Sequence, residues 1–299
     1  MKPEISVIIP VYNDAKGIET TLESLIRQDY PEGKYEIIAV DNNSKDATPL
    51  IIERFRAKYP GMVKLCHEKE IQSSYAARNE GIRNAGGDIL CFMDSDMWAD
   101  ESYLSRIGEV FGKERVDYLG CKIEIVPVKS NAIARFHVIT GFPAKSYMSS
   151  LHFAVTAAMA VRKSAIEKVG LFDERLISGG DREFGNRVNG AGYKQHFSED
   201  ITVYHPAFST LRQLRKKYFR VGRGLFQLYF YYPERYPEYN FSVFSPALYL
   251  SRNPLKMEKA YSGWPAISRK ERPVFFCLLC VKKLSQVLGY LYEKWKREK

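Results

Sequence analysis

The chain has 299 residues, 45% of them hydrophobic, so it can bury a substantial core, and its length suits one large domain with an appendage or two modest ones. Its formal net charge of +10 is unevenly placed: 26 Lys and Arg stand against 29 Asp and Glu up to residue 200, and 19 against 6 from residue 201 onward. These numbers exclude a disordered chain and put the excess positive charge in the last third, the part expected to meet an anionic partner.

The opening "MKPEISVIIPVYN" lacks a signal-peptide layout, because Pro10 and polar residues stop the apolar run early. "ISVIIP" (5–10) instead reads as a buried parallel strand. Ile18, Leu22, Leu25 and Ile26 then recur at helical spacing before "YPEGK" breaks the pattern. "YEIIAVD" (35–41) is the next strand, 50–59 a helix, "MVKLCH" (62–67) a strand, 73–85 a helix and "DILCFM" (88–93) a fourth strand. Strands separated by helices pair in parallel through right-handed crossovers, which predicts a doubly wound α/β sheet. "HFAVTAAMAVRKSAIEKVG" (152–170) reads as a strand leading into a helix.

Ligands of such sheets bind beyond the carboxyl ends of the strands. Three polar clusters fall there: Pro10-Val11-Tyr12-Asn13, Asp41-Asn42-Asn43-Ser44 and Asp94-Ser95-Asp96. Asp94 and Asp96 repel each other unless a cation shields them, and past a bend both can face a hard ion such as Mn²⁺ or Mg²⁺ whose other positions go to phosphate oxygens and water. A solvated Asp-Ser-Asp turn is the plainer alternative. No G-x-G-x-x-G follows the first strand and no G-x-x-x-x-G-K-[ST] occurs, which argues against a dinucleotide dehydrogenase or a P-loop NTPase.

Together, "SVIIPVYN", "AVDNNSKDAT" and "AARNEGIRNAGGDILCFMDSDM" resemble the family 2 glycosyltransferases with the GT-A fold, over roughly residues 4–205. The resemblance implies that Pro10, Val11, Tyr12 and Asp41 hold the base and ribose of a sugar nucleotide and that Arg78 lies against the nucleotide. It implies that Asp94, with Ser95, faces the ribose and sugar, and that Asp96, beside Asp94, ligates the metal bridging the diphosphate. Taken alone, Asp41 could cap the following helix and Arg78 could be solvated.

In "LFDERLISGGDREFGNRVNGAGYK" (171–194), Asp181 stands at a helix start, where an N-cap is the ordinary reading. The resemblance implies the general base there, and Gly180 stands where an acid is usual; Glu183 shares or takes the role in the alternative. His205 ends the strand "EDITVYHP" (199–206), either as packing or, as the resemblance implies, as an added metal ligand.

From residue 209, "STLRQLRKKYFRVGRGLFQLYFYYPERYPEYNF" interleaves Arg and Lys with aromatics. The end, "VFFCLLCVKKLSQVLGYLYEKWKREK", opens with eight apolar residues, short of the roughly 20 a bilayer span needs. Leu284, Val287, Leu288, Leu291 and Trp295 with nearby lysines then read as an interfacial amphipathic helix. Five cysteines form no disulfide pattern and imply a reducing compartment; Cys277-x-x-Cys280 reads as packing rather than half a zinc site.

The expectation is an α/β GT-A (Rossmann-like), mostly parallel sheet flanked by helices, with a C-terminal basic helical extension. Residues 1–207 form the catalytic domain, 1–98 its nucleotide-binding half and 99–207 its acceptor half, and 208–299 the extension. The activity expected is metal-dependent, inverting transfer from a UDP-sugar or related donor to a hydroxyl of a cell-envelope glycan or lipid-linked acceptor. It would occur in the cytoplasm, at the inner face of the plasma membrane, with no nucleic-acid partner. Alternatives are a nucleotidyltransferase, for which "PVYNDAKGIE" offers one Lys and one Gly, and a non-catalytic binder of anionic polymers.

Overall fold

The computed structural model describes residues 3–113, 115–241 and 264–298. β1 (Ile5–Val11) and β2 (Tyr35–Asp41) are buried along their whole length, as expected of apolar runs covered on both faces. β1 pairs in parallel with β2 and with β4 (Ile89–Phe92), and β2 with β3 (Val63–His67). The connections are α1 (Ala15–Leu25), α2 (Thr48–Lys58) and α3 (Ser74–Asn84), the crossovers that parallel pairing requires. Strand register fixes where the loops emerge. Val11 lies opposite Asp41 and Ile8 opposite Phe92, so the chain leaves β1, β2 and β4 along one edge.

The second half departs from double winding. Its elements are β5 (Trp98–Ala99), α4 (Tyr103–Lys113), β6 (Tyr118–Val126), α5 (Ala132–Thr140), α6 (Ala144–Leu151), β7 (Met159–Arg162), α7 (Lys163–Val169), α8 (Gly180–Gly190) and β8 (Gln195–Pro206). β7 joins β4 antiparallel, β6 joins β7 antiparallel and β5 joins β8 antiparallel, giving the order β3-β2-β1-β4-β7-β6-β8-β5. The result is an α/β fold, a sheet flanked by helices whose parallel half matches the sequence reading.

The chain divides into two units. The first comprises Met1–Glu124, Pro143–Arg175 and Gly180–His205, the second Ile125–Phe142, Leu176–Gly179 and Pro206–Lys299. Of the 208–299 extension, residues 242–263 lie outside the described residues.

In the second unit, α9 (Leu211–Tyr231) starts at a capping box between Thr210 and Gln213 and packs along α10 (Arg272–Glu298). Phe136, Leu214, Tyr218, Trp264, Phe275 and Leu279 form the core. Gly222 and Gly289 set the crossing distance: a Cβ at 222 would sit 1.8 Å from the Gln286 carbonyl oxygen, and one at 289 would sit 2.0 Å from that of Phe219. The wholly buried Glu293 accepts from Arg223 Nε at 2.7 Å, Arg297 Nε at 2.8 Å and Gln227 Nε2 at 2.6 Å. Burial alone would push its carboxyl up, and these three donors outweigh it and hold the group below its ordinary value.

Two expectations change in α10. By length and composition this 27-residue helix is apolar enough to cross a bilayer, although the leading apolar run was too short. Lys282 and Lys283 interrupt that run only in sequence: Lys282 Nζ lies over the Tyr218 ring, 4.7 Å from its centroid, and Lys283 is pushed below its ordinary value by burial. The other side of the helix is left apolar. Cys277 and Cys280 are exposed on it rather than packed in the core.

Alanine at 222 would favour the helix by about 1 kcal/mol on propensity. A methyl driven into a backbone carbonyl costs about 1–3 kcal/mol, so the clash wins. Gly222→Ala is expected to lower the urea midpoint, and an unchanged or raised midpoint would contradict so close a crossing.

Candidate active site

The loops leaving β1 and β2 are tied to each other. Asn13 takes a left-handed conformation, φ 49°, in which its backbone N–H donates to Ser44 Oγ at 2.9 Å and its Oδ1 accepts from Lys45 N at 2.7 Å. Asp14 N donates to Thr48 Oγ1 at 2.9 Å. Pro10 and Val11 are buried in β1, whereas Tyr12 stands half-exposed beyond its end. Asp41 is buried, accepts from Ser44 N at 3.2 Å and lies 3.5 Å from His67 Nδ1. It does not cap α2, whose N-cap position is Ala47. Asn42 anchors the far side by donating to the Glu68 and Ile71 carbonyls at 3.0 and 2.9 Å.

The tip of β4 is held from two directions. Arg78 on α3 is 4% exposed, not solvated, and its Nη2 donates to Asp94 Oδ1 at 2.6 Å. Ser95 turns away, its Oγ donating to Asp14 Oδ2 at 2.8 Å while its carbonyl accepts from Thr21 Oγ1 at 2.8 Å. Asp14 also caps α1 by accepting from Gly17 N at 3.1 Å. It is a residue of the candidate site that the sequence reading passed over, and its signal is the N-cap position in "NDAKG".

Asp96 points at the end of β8, where the buried His205 has its Nε2 3.8 Å from Asp96 Oδ2. Burial raises the Asp96 carboxyl above its ordinary value; His205 opposes the shift, and the charges of Asp94 and Asp14 add to it. With 41% of its side chain open to solvent, Asp96 is reachable by a divalent cation approaching from outside. Among the described residues no three His, Cys, Asp or Glu side chains converge into a ready cage. Asp96 and His205 are the two donors that could hold such an ion. Asp94 differs, since one of its oxygens is already engaged by Arg78.

α8 starts at Gly180, whose N–H donates to the Tyr75 hydroxyl at 2.9 Å, and carries the half-buried Asp181 in its first turn. Glu183 is 1% exposed, and both its oxygens take the Arg187 guanidinium at 2.9 and 3.0 Å. Arg187 also donates to the carbonyls of Gly170 and Leu171 at 3.0 and 2.7 Å, which ties α8 to the turn after α7. The two acidic residues of this turn are thus in different environments, Asp181 partly open and Glu183 enclosed.

The profile of Glycosyl transferase family 2 matches residues 6–170. Glycosyltransferase AglE of Haloferax volcanii is 39% identical over 228 residues, 76% of this chain and 74% of its own. The Methanococcus voltae dolichyl N-acetyl-alpha-D-glucosaminyl phosphate 3-beta-D-2,3-diacetamido-2,3-dideoxy-beta-D-glucuronosyltransferase is 27% identical over 248 residues, 77% of each chain. Among solved structures, mannosyltransferase PcManGT from Pyrobaculum calidifontis, in complex with GDP-Man and Mn²⁺, superposes with a TM-score of 0.65 at 18% identity, over 99% of this chain and 88% of its own. Staphylococcus aureus TarS in complex with UDP-GlcNAc gives 0.58 at 18% identity, over 99% and 92%. At such identities the structural matches speak for the fold.

Breaking a buried pair by removing one partner costs about 3–5 kcal/mol, and the low end applies because Arg187 keeps 21% of its side chain exposed. Glu183→Gln is therefore expected to destabilise the protein by about 3 kcal/mol in urea denaturation. Unchanged stability with lost turnover would instead give Glu183 a chemical role.

Proposed function

The chain belongs to glycosyl transferase family 2 and is a glycosyltransferase, and from that premise we propose that it transfers a sugar from a nucleotide-diphosphate donor, UDP-linked in the first instance, with inversion at the anomeric carbon. The observation that carries this reading is the pairing at the sheet edge of an Arg78-bound Asp94 with a charge-disfavoured Asp96 beside His205. Tyr12 offers a face for the base and Asp41 accepts from base or ribose. Arg78 and Asp94 orient the ribose and sugar, with Ser95 fixing the turn. A divalent cation, Mn²⁺ or Mg²⁺, held by Asp96 and His205 next to Asp94, would stabilise the charge that gathers on the departing diphosphate.

Asp181 is the proposed general base. Its carboxylate takes the proton of the acceptor hydroxyl as that oxygen bonds to the anomeric carbon, and the bond to the diphosphate breaks on the opposite side. Glu183 is not assigned the role, because Arg187 occupies both its oxygens. Residues 1–98 would serve the nucleotide and 99–207 the acceptor.

The acceptor proposed is a hydroxyl of a cell-envelope glycan or lipid-linked sugar, met at the inner face of the plasma membrane. The Methanococcus voltae relative is named for transfer to a dolichyl-phosphate-linked sugar, and such acceptors present their hydroxyls at a bilayer. On α10 the exposed Cys277, Cys280, Leu284, Leu288 and Trp295 follow one another at helical spacing, so they share one helix face, and that face is free of charge until Glu298 in the last turn. Such a face, in a segment rich in Lys and Arg, suits an anionic lipid surface, with the helix lying in the interface.

A panel of UDP- and GDP-sugars assayed for Mn²⁺-dependent hydrolysis identifies the donor, and hydrolysis of none would overturn the donor assignment. Asp96→Ala is expected to abolish Mn²⁺-dependent UDP binding. Asp181→Asn should hold UDP nearly as tightly as the wild type while turnover falls by about 10²–10⁴, the usual worth of a general base. Normal turnover in Asp181→Asn would remove it from the mechanism. Leu284→Asp with Leu288→Asp, both solvent-facing, should abolish co-sedimentation with vesicles containing phosphatidylglycerol; retained binding would rule out this face.

A further inference from the structure

We propose that Tyr75 is a positioning residue that sets the first turn of α8, and with it Asp181, against the donor side of the site. The inference rests on the general-base reading of Asp181 and adds a residue to it.

Tyr75 lies in the first turn of α3, whose cap Ser73 accepts from Tyr75 N at 3.2 Å. Three residues on, and hence on the same helix face, is Arg78, whose guanidinium sits 5.6 Å from the centroid of the Tyr75 ring. The ring is 5% exposed and stacks on Phe172 at 5.8 Å with 26° between planes. Phe172 is fixed to α3 by Asn79, whose amide accepts from Phe172 N at 3.0 Å and donates to its carbonyl at 2.9 Å. Phe172 in turn lies 4.5 Å from the Phe184 ring of α8. One packed column therefore runs from the Arg78–Asp94 pair through Tyr75 to the helix that carries the base.

The column ends on a hydrogen bond that the Tyr75 ring accepts through its hydroxyl. The first N–H groups of a helix have no partner within it. Here the Gly180 N–H finds one in Tyr75 Oη at 2.9 Å, one residue before Asp181. The fit also excludes any side chain at 180: a Cβ there would lie 2.7, 2.8 and 2.9 Å from Cζ, Cε2 and Cε1 of Tyr75. Gly180 and Tyr75 are thus a matched pair, and the ring stands where a side chain next to the base would otherwise stand. With the hydroxyl gone the N–H loses its partner and the first turn of α8 loses its anchor, while the ring still supports Arg78.

The test is Tyr75→Phe in the full chain, assayed with Mn²⁺ and the donor identified by the panel, with UDP as the binding probe. Misplacement of a catalytic group by about 1 Å lowers turnover on the order of 100-fold. The expected result is a fall in kcat of about 10- to 100-fold, with the UDP Kd and the donor KM within about twofold of wild type. Because Tyr75 acts through Asp181, adding Tyr75→Phe to Asp181→Asn should lower the residual rate no further, a non-additivity that a merely structural residue would not produce. A kcat within twofold of wild type overturns the proposal, as does a parallel loss of UDP affinity, which would place the effect on Arg78. Asp181→Asn in the same assay separates the two readings. If it turns over normally the base assignment fails; if it is inactive while Tyr75→Phe is normal, only the Tyr75 proposal fails.

Discussion

The site depends on one ion pair, Arg78 with Asp94. A guanidinium that is 4% exposed is costly to bury unless an anion stands against it, and a carboxylate at the tip of β4 is repelled by Asp96 two residues away unless a cation stands against it. Each charge is tolerable because of the other. The pair also carries geometry. It links α3 to the end of β4, and the carboxyl ends of β1 and β2 are tied to the same tip through Asp14 and Ser95 and through Asn13 and Ser44.

A fixed cation at Asp94 leaves Asp96 in a different position. Its neighbours are carboxylates and a histidine, and its carboxyl is raised above the ordinary range by burial first. Two carboxylates separated by one serine therefore differ in kind. One is paired within the protein, and the other keeps 41% of its side chain open to solvent. On the reading proposed, that asymmetry divides the labour between holding the sugar and ribose and meeting the diphosphate. The difference is invisible in the tripeptide and appears only once Arg78 and His205 are placed.

How much of this was legible in the sequence depended on how far apart the partners lie along the chain. The parallel half of the sheet was readable because each strand is a continuous apolar run bounded by breakers, and because the helices between carry their own periodicity. The polar clusters at Tyr12, Asp41 and Asp94 were readable because strand ends lie in the sequence. β5 was not: it is two residues long and exists because it pairs with β8, with Trp98 stacked 5.9 Å from Tyr204. Asp14 and Tyr75 escaped for a related reason, since their partners Ser95 and Gly180 lie 81 and 105 residues away. No local pattern records such a distance. The Glu183–Arg187 pair was within reach, because four residues is one helical turn.

The second unit shows how a helix can be misjudged from its linear composition. Lys282 and Lys283 cut the apolar run of α10 in sequence, yet one lies over the Tyr218 ring and the other is half-buried. Glu293 is drawn inward to Arg223, Gln227 and Arg297. Folding thus gathers the charges of the central turns onto the α9 side and leaves Leu284, Leu288 and Trp295 outward. On the reading proposed, a helix lying in the interface keeps the Glu293 cluster within the protein and turns its apolar face to lipid. The same sequence satisfies a length test for crossing a bilayer, and the proposed placement in the interface rests instead on the direction in which each side chain points.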